Sequence, residues 1–98
     1  MDEAPIGDRE PLPPAEARTL IRRILSAGGV ALSDHVRKQM AERGLDTADL
    51  ESTLGGGWVE EGEYEIGTWR YRVCTNRMAF VVAFRSEREL RVVTGFKW

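Results

Sequence analysis

The stretch that decides the fold is GTWRYRVCTNRMAFVVAF, residues 67–84. Its first half alternates apolar and charged side chains, which is the period-two pattern of a strand with one buried face. Tyr71 and Val73 lie on the predicted buried face, and Arg70 and Arg72 lie on the other. The second half, MAFVVAF, is apolar on both faces and predicts a central strand. Because only TNR separates the halves, we expect an antiparallel hairpin.

The segments on either side of this hairpin extend the pattern. WVEEGEY at residues 58–64 and LRVVTGFKW at residues 90–98 predict two further strands. Upstream of the glycine run at residues 55–57 the apolar period is that of a helix. It predicts helices from Pro14 to the Gly28-Gly29 pair, from Ser33 or Asp34 to about Arg43, and from Asp46 to the glycine run, with a short extended link, VAL, at residues 30–32. The predicted fold is α+β, with two to three N-terminal helices packed on one face of a four-stranded antiparallel sheet.

Composition divides the chain into an arm and one domain. Residues 1–12 are rich in Pro, Gly and acidic side chains, so we expect a disordered acidic arm, dispensable for folding, ahead of a single α+β domain at residues 13–98. With one Cys and one His, neither an internal disulfide nor a metal site is expected, and no motif predicts a cofactor. No secretory signal or membrane span is recognisable, which favours a cytoplasmic protein.

The charges of the chain are unevenly distributed. Residues 1–67 carry 7 Lys and Arg against 14 Asp and Glu, whereas residues 68–98 carry 7 against 2. A basic cluster of this kind favours binding to a polyanion or to an acidic partner. The alternative is that the strand arginines are simply solvated.

His35 is the only histidine of the chain. It falls in the first turn of the second predicted helix, where the positive end of the helix dipole favours the neutral imidazole that a general base requires. With Gln39 and Arg43 it forms a stripe beside the predicted core positions Val36 and Met40. These features predict either a proton-transfer residue or a structural residue at the boundary of the core.

Four segments together resemble a known family. LSDHVRKQMAERGLDTADLESTL, WRYRV, MAFVVAF and RVVTGFKW are similar to the bacterial family DUF4258. The shared core consists of Ser33, His35, Arg43-Gly44-Leu45, and the closing run from Val92 to Phe96. That family is similar to RelE-type and motility-quorum-sensing-regulator-type toxins, which are small ribonucleases of the barnase-like superfamily. The resemblance implies a RelE/barnase-like fold, RNA cleavage and a cognate antitoxin partner. The chain departs from such toxins in having only two lysines, Lys38 and Lys97.

Metal-independent RNA cleavage requires particular side-chain groups. It needs a base, an acid and cations that hold the phosphate charge. A single histidine can serve only one proton role, so either a tyrosine or a lysine serves the other or no side chain does. The predicted catalytic residues are His35, Arg43, Tyr71 and Lys97, and the predicted RNA-binding residues are Arg70, Arg72, Arg91 and Thr94. The alternative function is a non-catalytic interaction module that binds an acidic protein or a nucleic acid through its basic sheet.

Overall fold

The computed structural model describes residues 6–98, so residues 1–5 of the predicted arm lie outside the described residues. After a 3₁₀ turn at Gly7–Arg9, the described chain forms three α-helices and six strands. In chain order these are α1 (Pro14–Ser26), β1 (Val30–Ala31), α2 (Asp34–Glu42), α3 (Thr47–Gly56), β2 (Trp58–Val59), β3 (Glu63–Glu65), β4 (Thr68–Cys74), β5 (Met78–Phe84) and β6 (Leu90–Lys97). The α+β class predicted from the periodicity is confirmed.

Side-chain caps begin α2 and α3, and a glycine ends α2. The Ser33 hydroxyl caps α2 by accepting the Val36 N–H at 3.1 Å. Asp46 and Asp49 form a reciprocal capping box at the start of α3. Gly44 ends α2 with a φ of +72°, a conformation that favours glycine. The cap of α2, which the sequence left open between Ser33 and Asp34, is Ser33, and the helix start predicted at Asp46 is confirmed.

The sheet differs from the predicted one. Its strand order is β1-β6-β5-β4-β2, with β3 pairing to the remaining length of β4. The predicted link VAL supplies β1, which pairs in parallel with β6, and WVEEGEY is divided into β2 and β3. A Cβ at Gly62 would lie 2.9 Å from the Tyr71 ring, so the backbone between these two strands passes directly over that ring.

The prediction of a four-stranded antiparallel sheet below a purely N-terminal set of helices is therefore wrong. The sheet is mixed, because β1 is parallel to β6 while the other pairs are antiparallel. Strand β1 also lies between α1 and α2 in the chain, so the helices do not all precede the sheet. The physical reason is that a two-residue strand acquires its hydrogen bonds from a distant partner and carries no periodicity of its own.

The hydrophobic core packs against one face of the sheet. Tyr71, Val73, Phe80 and Val82 pack there against the apolar stripes of α1 and α3. Helix α2 lies along β6 and adds its own buried side chains, Val36 and Met40, to the same core. The opposite face of the sheet carries Arg70, Arg72 and Thr94 and remains open. Within the described part of the chain, no helix has both the length and the apolar character needed to cross a bilayer.

Residues 6–12, part of the predicted arm, are attached to this core. Ile6 and Leu12 are only 4% and 2% exposed. The Tyr71 hydroxyl accepts the backbone N–H of Leu12 at 2.9 Å and donates to the Glu10 carboxylate at 2.8 Å. The segment is thus anchored by apolar burial near each end, which its composition did not indicate.

Candidate functional site

Two open depressions adjoin along β6. The first, here called the histidine depression, lies between the start of α2 and the start of β6 and measures about 420 Å³. The second, here called the acidic depression, lies on the open sheet face between β6 and the β2–β3 margin. Val93 lines both, so the two form neighbouring parts of one surface.

The histidine depression brings together two residues that were predicted separately. His35 enters it from the first turn of α2, which the Ser33 cap holds in place, and Arg91 enters it from β6. Arg85, which directly follows β5, lines the same space. Sequence reasoning missed Arg85 because it treated residues 85–89 as a connection only. An imidazole beside two guanidinium groups can hold a phosphate and exchange a proton next to it.

Arg43 and Thr94, which were predicted for different roles, form a second pair where the end of α2 meets β6. One guanidinium nitrogen of Arg43 donates to the Thr94 hydroxyl at 3.1 Å and to the Gly95 carbonyl at 2.7 Å. The Thr94 hydroxyl in turn donates to the Gln39 side-chain oxygen at 2.7 Å. The cation that the helical pattern placed beside the core therefore has polar partners, and its guanidinium is held against β6.

The glycine in this network is required by packing. A Cβ at Gly95 would lie 2.6 Å from the Phe80 ring in the core. The absence of a side chain lets β6 close over Phe80, and it leaves the Gly95 carbonyl within reach of Arg43. The Thr-Gly pair thus serves the network through the hydroxyl of one residue and the small size of the other.

The acidic depression contains the predicted RNA-binding residues Arg70 and Arg72. Both are paired with carboxylates: Arg70 with Glu65 at 3.6 Å and Arg72 with Glu60 at 3.9 Å. Glu61 and Glu63 line the same space. The sheet face is therefore acidic along its β2–β3 margin. Arg85 and Arg91, which form no ion pair with any residue from 6 to 98, lie on the other side. The glutamates of residues 60–65 were evident in the sequence. Their pairing with the arginines depends on the strand register, which places Glu63 opposite Arg70.

Of the predicted catalytic residues, only His35 lines a depression; Arg43 is bonded to Thr94 and Gly95, and the other two, Tyr71 and Lys97, lie elsewhere. Tyr71 is wholly buried, and its hydroxyl is occupied by Leu12 and Glu10. Burial raises the pKa of this hydroxyl, the hydrogen bond from Leu12 opposes the shift, and the Glu10 carboxylate adds to it. Lys97 is exposed, and its Nζ lies beside Gly44, where a Cβ would approach it to 3.2 Å. The structure therefore groups neither of them with His35.

The single cysteine does not present a nucleophile. Cys74 is buried, and burial together with the nearby Glu60 carboxylate raises the pKa of its thiol to about 11. Across residues 6–98, His, Cys, Asp and Glu side chains nowhere gather in a group of three that could hold a metal ion.

Comparison with family models places these residues in a common domain. The model of the domain of unknown function DUF4258 matches residues 32–96, which is about two thirds of the chain. The chain belongs to the DUF4258 family. No curated protein and no solved structure matches it. The DUF4258 domain includes α2, the main strands of the sheet and the residues His35, Arg43, Arg91 and Thr94, whereas α1 and the N-terminal segment precede it.

Proposed function

We propose that this DUF4258 protein is a toxin-like, metal-independent endoribonuclease. One observation carries the proposal: His35, Arg85 and Arg91 face a single open depression. A phosphodiester placed there would meet two guanidinium groups, which bind phosphate through paired N–H donors, and an imidazole able to take up or release a proton.

The reaction is a transesterification within the RNA strand. His35 removes the proton of a ribose 2′-hydroxyl, whose oxygen forms a bond to the adjacent phosphorus. The bond from phosphorus to the 5′-oxygen breaks, and that oxygen takes a proton from solvent or from the imidazolium just formed. The products are a 2′,3′-cyclic phosphate and a free 5′-hydroxyl. Arg85 and Arg91 stabilise the negative charge that builds on the phosphoryl oxygens.

Arg43 and Thr94 extend the proposed site along β6. Thr94 and Gly95 hold Arg43 through one nitrogen, which leaves its remaining N–H groups able to contact the phosphate of the next nucleotide. Arg70 and Arg72 contribute less than the sequence suggested, since each already faces a carboxylate. The cognate antitoxin partner, and the place of the protein in a toxin–antitoxin system, rest on the resemblance to RelE-type toxins.

The test is cleavage of single-stranded RNA by the full chain in the presence of a chelator. His35→Ala should lower the cleavage rate by about 10²–10⁴-fold, the usual effect of removing a general base. Lys38→Ala is the matched control, because Lys38 is exposed on the same helix and lines neither depression. Thermal melting of the same samples separates activity from folding. Equal cleavage by wild type and His35→Ala would remove the histidine from the mechanism.

Expression in cells distinguishes this function from the alternative. A nuclease toxin should arrest growth and fragment total RNA, and His35→Ala should do neither. A non-catalytic module that binds nucleic acid or an acidic protein through a basic sheet would leave RNA intact. The acidic depression disfavours that alternative, because the carboxylates of Glu60 and Glu65 face the sheet arginines at 3.6–3.9 Å.

A further inference from the structure

The open face of the sheet exposes large aromatic side chains. Trp58 is 52% exposed and Trp98 is 61% exposed. Trp58 pairs with Cys74 and therefore lies on the face opposite the core residue Val73. Phe96 and Trp98 stack edge to face at 5.5 Å, and the Arg72 guanidinium lies 5.6 Å from the Phe96 ring. Adjoining exposed aromatic groups, such as Phe96 and Trp98, are typical of interaction sites.

The charge of this face decides what it can accept. Four glutamates and two arginines line the acidic depression. Both arginines are paired with Glu60 and Glu65, while Glu61 and Glu63 form no ion pair with any residue from 6 to 98. The surplus carboxylates repel RNA phosphates and attract cationic side chains.

The same margin is a free edge of the sheet. Strands β2 and β3 each pair with β4, and no other strand of the described chain pairs with them. An extended polypeptide can add itself to such an edge through backbone hydrogen bonds. Its alternate side chains would then lie about 5 Å from the glutamates of β3 on the same face. An arginine at the end of that row could stack on Trp58.

We infer that this face docks an extended cationic segment of a partner protein, held by the free β2–β3 edge, the surplus carboxylates of Glu61 and Glu63, and the Trp58 ring. The peptide would occupy the β2–β3 side of the acidic depression, opposite the β6 side that carries Thr94 and outside the histidine depression, so the inference does not rest on the nuclease activity. It also identifies a partner opposite in charge to the one that the basic back half of the sequence suggested.

The experiment uses the full chain and a defined probe, a six-residue peptide of alternating arginine and valine. Binding is followed by backbone amide chemical shifts and by calorimetry at two salt concentrations. The control probe replaces each arginine with citrulline, which keeps the shape and removes the charge. We expect shifts concentrated at residues 58–65 and 70–72, with affinity that falls as salt rises.

The matched variants are Glu61→Gln/Glu63→Gln and Glu42→Gln/Glu51→Gln, which remove the same charge from the sheet margin and from the exposed surface of α2 and α3. The first pair should weaken peptide binding roughly tenfold without changing the melting temperature, and the second should leave binding unchanged. His35→Ala should bind the peptide as wild type does.

Three results would overturn the inference: absence of peptide binding, equal binding of the citrulline peptide, or equal affinity of Glu61→Gln/Glu63→Gln and wild type. Shifts of the same amides by a single-stranded RNA oligonucleotide in place of the peptide would also overturn it, since the face would then be a nucleic-acid surface. None of these results depends on whether the protein cleaves RNA, so failure of the docking surface and failure of the nuclease remain distinguishable.

Discussion

Replacing Tyr71 with phenylalanine tests the least expected contact in the structure. The change removes one oxygen atom from the core and leaves the ring in place, where it packs against Phe84 at a centroid distance of 5.2 Å. That oxygen accepts the Leu12 N–H at 2.9 Å and donates to Glu10 at 2.8 Å. Tyr71→Phe therefore leaves a buried backbone donor without a partner and removes one donor from a half-buried carboxylate.

The expected cost follows from these two losses. A buried polar group that loses its only partner costs about 1–3 kcal/mol in the free energy of unfolding. Glu10 is half-buried and can turn to water, so it contributes a smaller amount. For a domain of this size, 1 kcal/mol lowers the melting temperature by roughly 4–8 °C, so Tyr71→Phe should melt about 4–24 °C below wild type.

Urea unfolding at neutral pH, followed by tryptophan fluorescence, measures the change directly. Tyr64→Phe is the control, because Tyr64 is 61% exposed and its hydroxyl has no hydrogen bond within the described chain. Cleavage of RNA per folded molecule should be the same for Tyr71→Phe and wild type. A loss of less than about 0.5 kcal/mol, which is typical of an uninvolved surface position, would refute the Leu12 contact. A large loss of cleavage in fully folded Tyr71→Phe would instead support the predicted part of this residue in the reaction.

Three further changes test the attachment of residues 6–12 and the packing of β6. Leu12→Ala should lower the free energy of unfolding by about 2–5 kcal/mol in urea titrations, because this side chain is 2% exposed; an unchanged midpoint would detach residues 6–12 from the core. Burial raises the pKa of Glu10 against the opposing Tyr71 hydrogen bond, so the folded state binds the proton more tightly than the unfolded chain. This stabilisation is fully present below the pKa of Glu10 in the unfolded chain, and it is lost as the pH rises through the pKa of Glu10 in the folded protein. Glu10→Gln should therefore remove this pH dependence of the free energy of unfolding. Identical stability–pH curves for the two proteins would contradict the prediction. Gly95→Ala should cost about 1–3 kcal/mol through its 2.6 Å approach to Phe80, and a melting temperature equal to that of wild type would show that β6 can shift.

The sequence by itself determined what depends on neighbouring residues. The alternation in β4 and the apolar run of β5 predicted a central hairpin, and the structure pairs Tyr71 with Val82 across it. The helix starts at Ser33 or Asp34 and at Asp46 could be predicted because a capping side chain bonds to a backbone group only three residues away. The place of His35 in the first turn of α2 followed from the same local rule.

Only the tertiary structure decided which distant residues meet. The link at residues 30–31 became a strand because the start of β6 lies alongside it, 60 residues later in the chain. Arg70 and Arg72 were expected to bind RNA, but each is paired with a glutamate that the strand register places beside it. The Tyr71 hydroxyl is bonded to the backbone of Leu12, 59 residues away, and does not line the depression that holds His35. Periodicity reports which face of a strand is buried but not what covers that face, since the covering group comes from a part of the chain that no local pattern specifies.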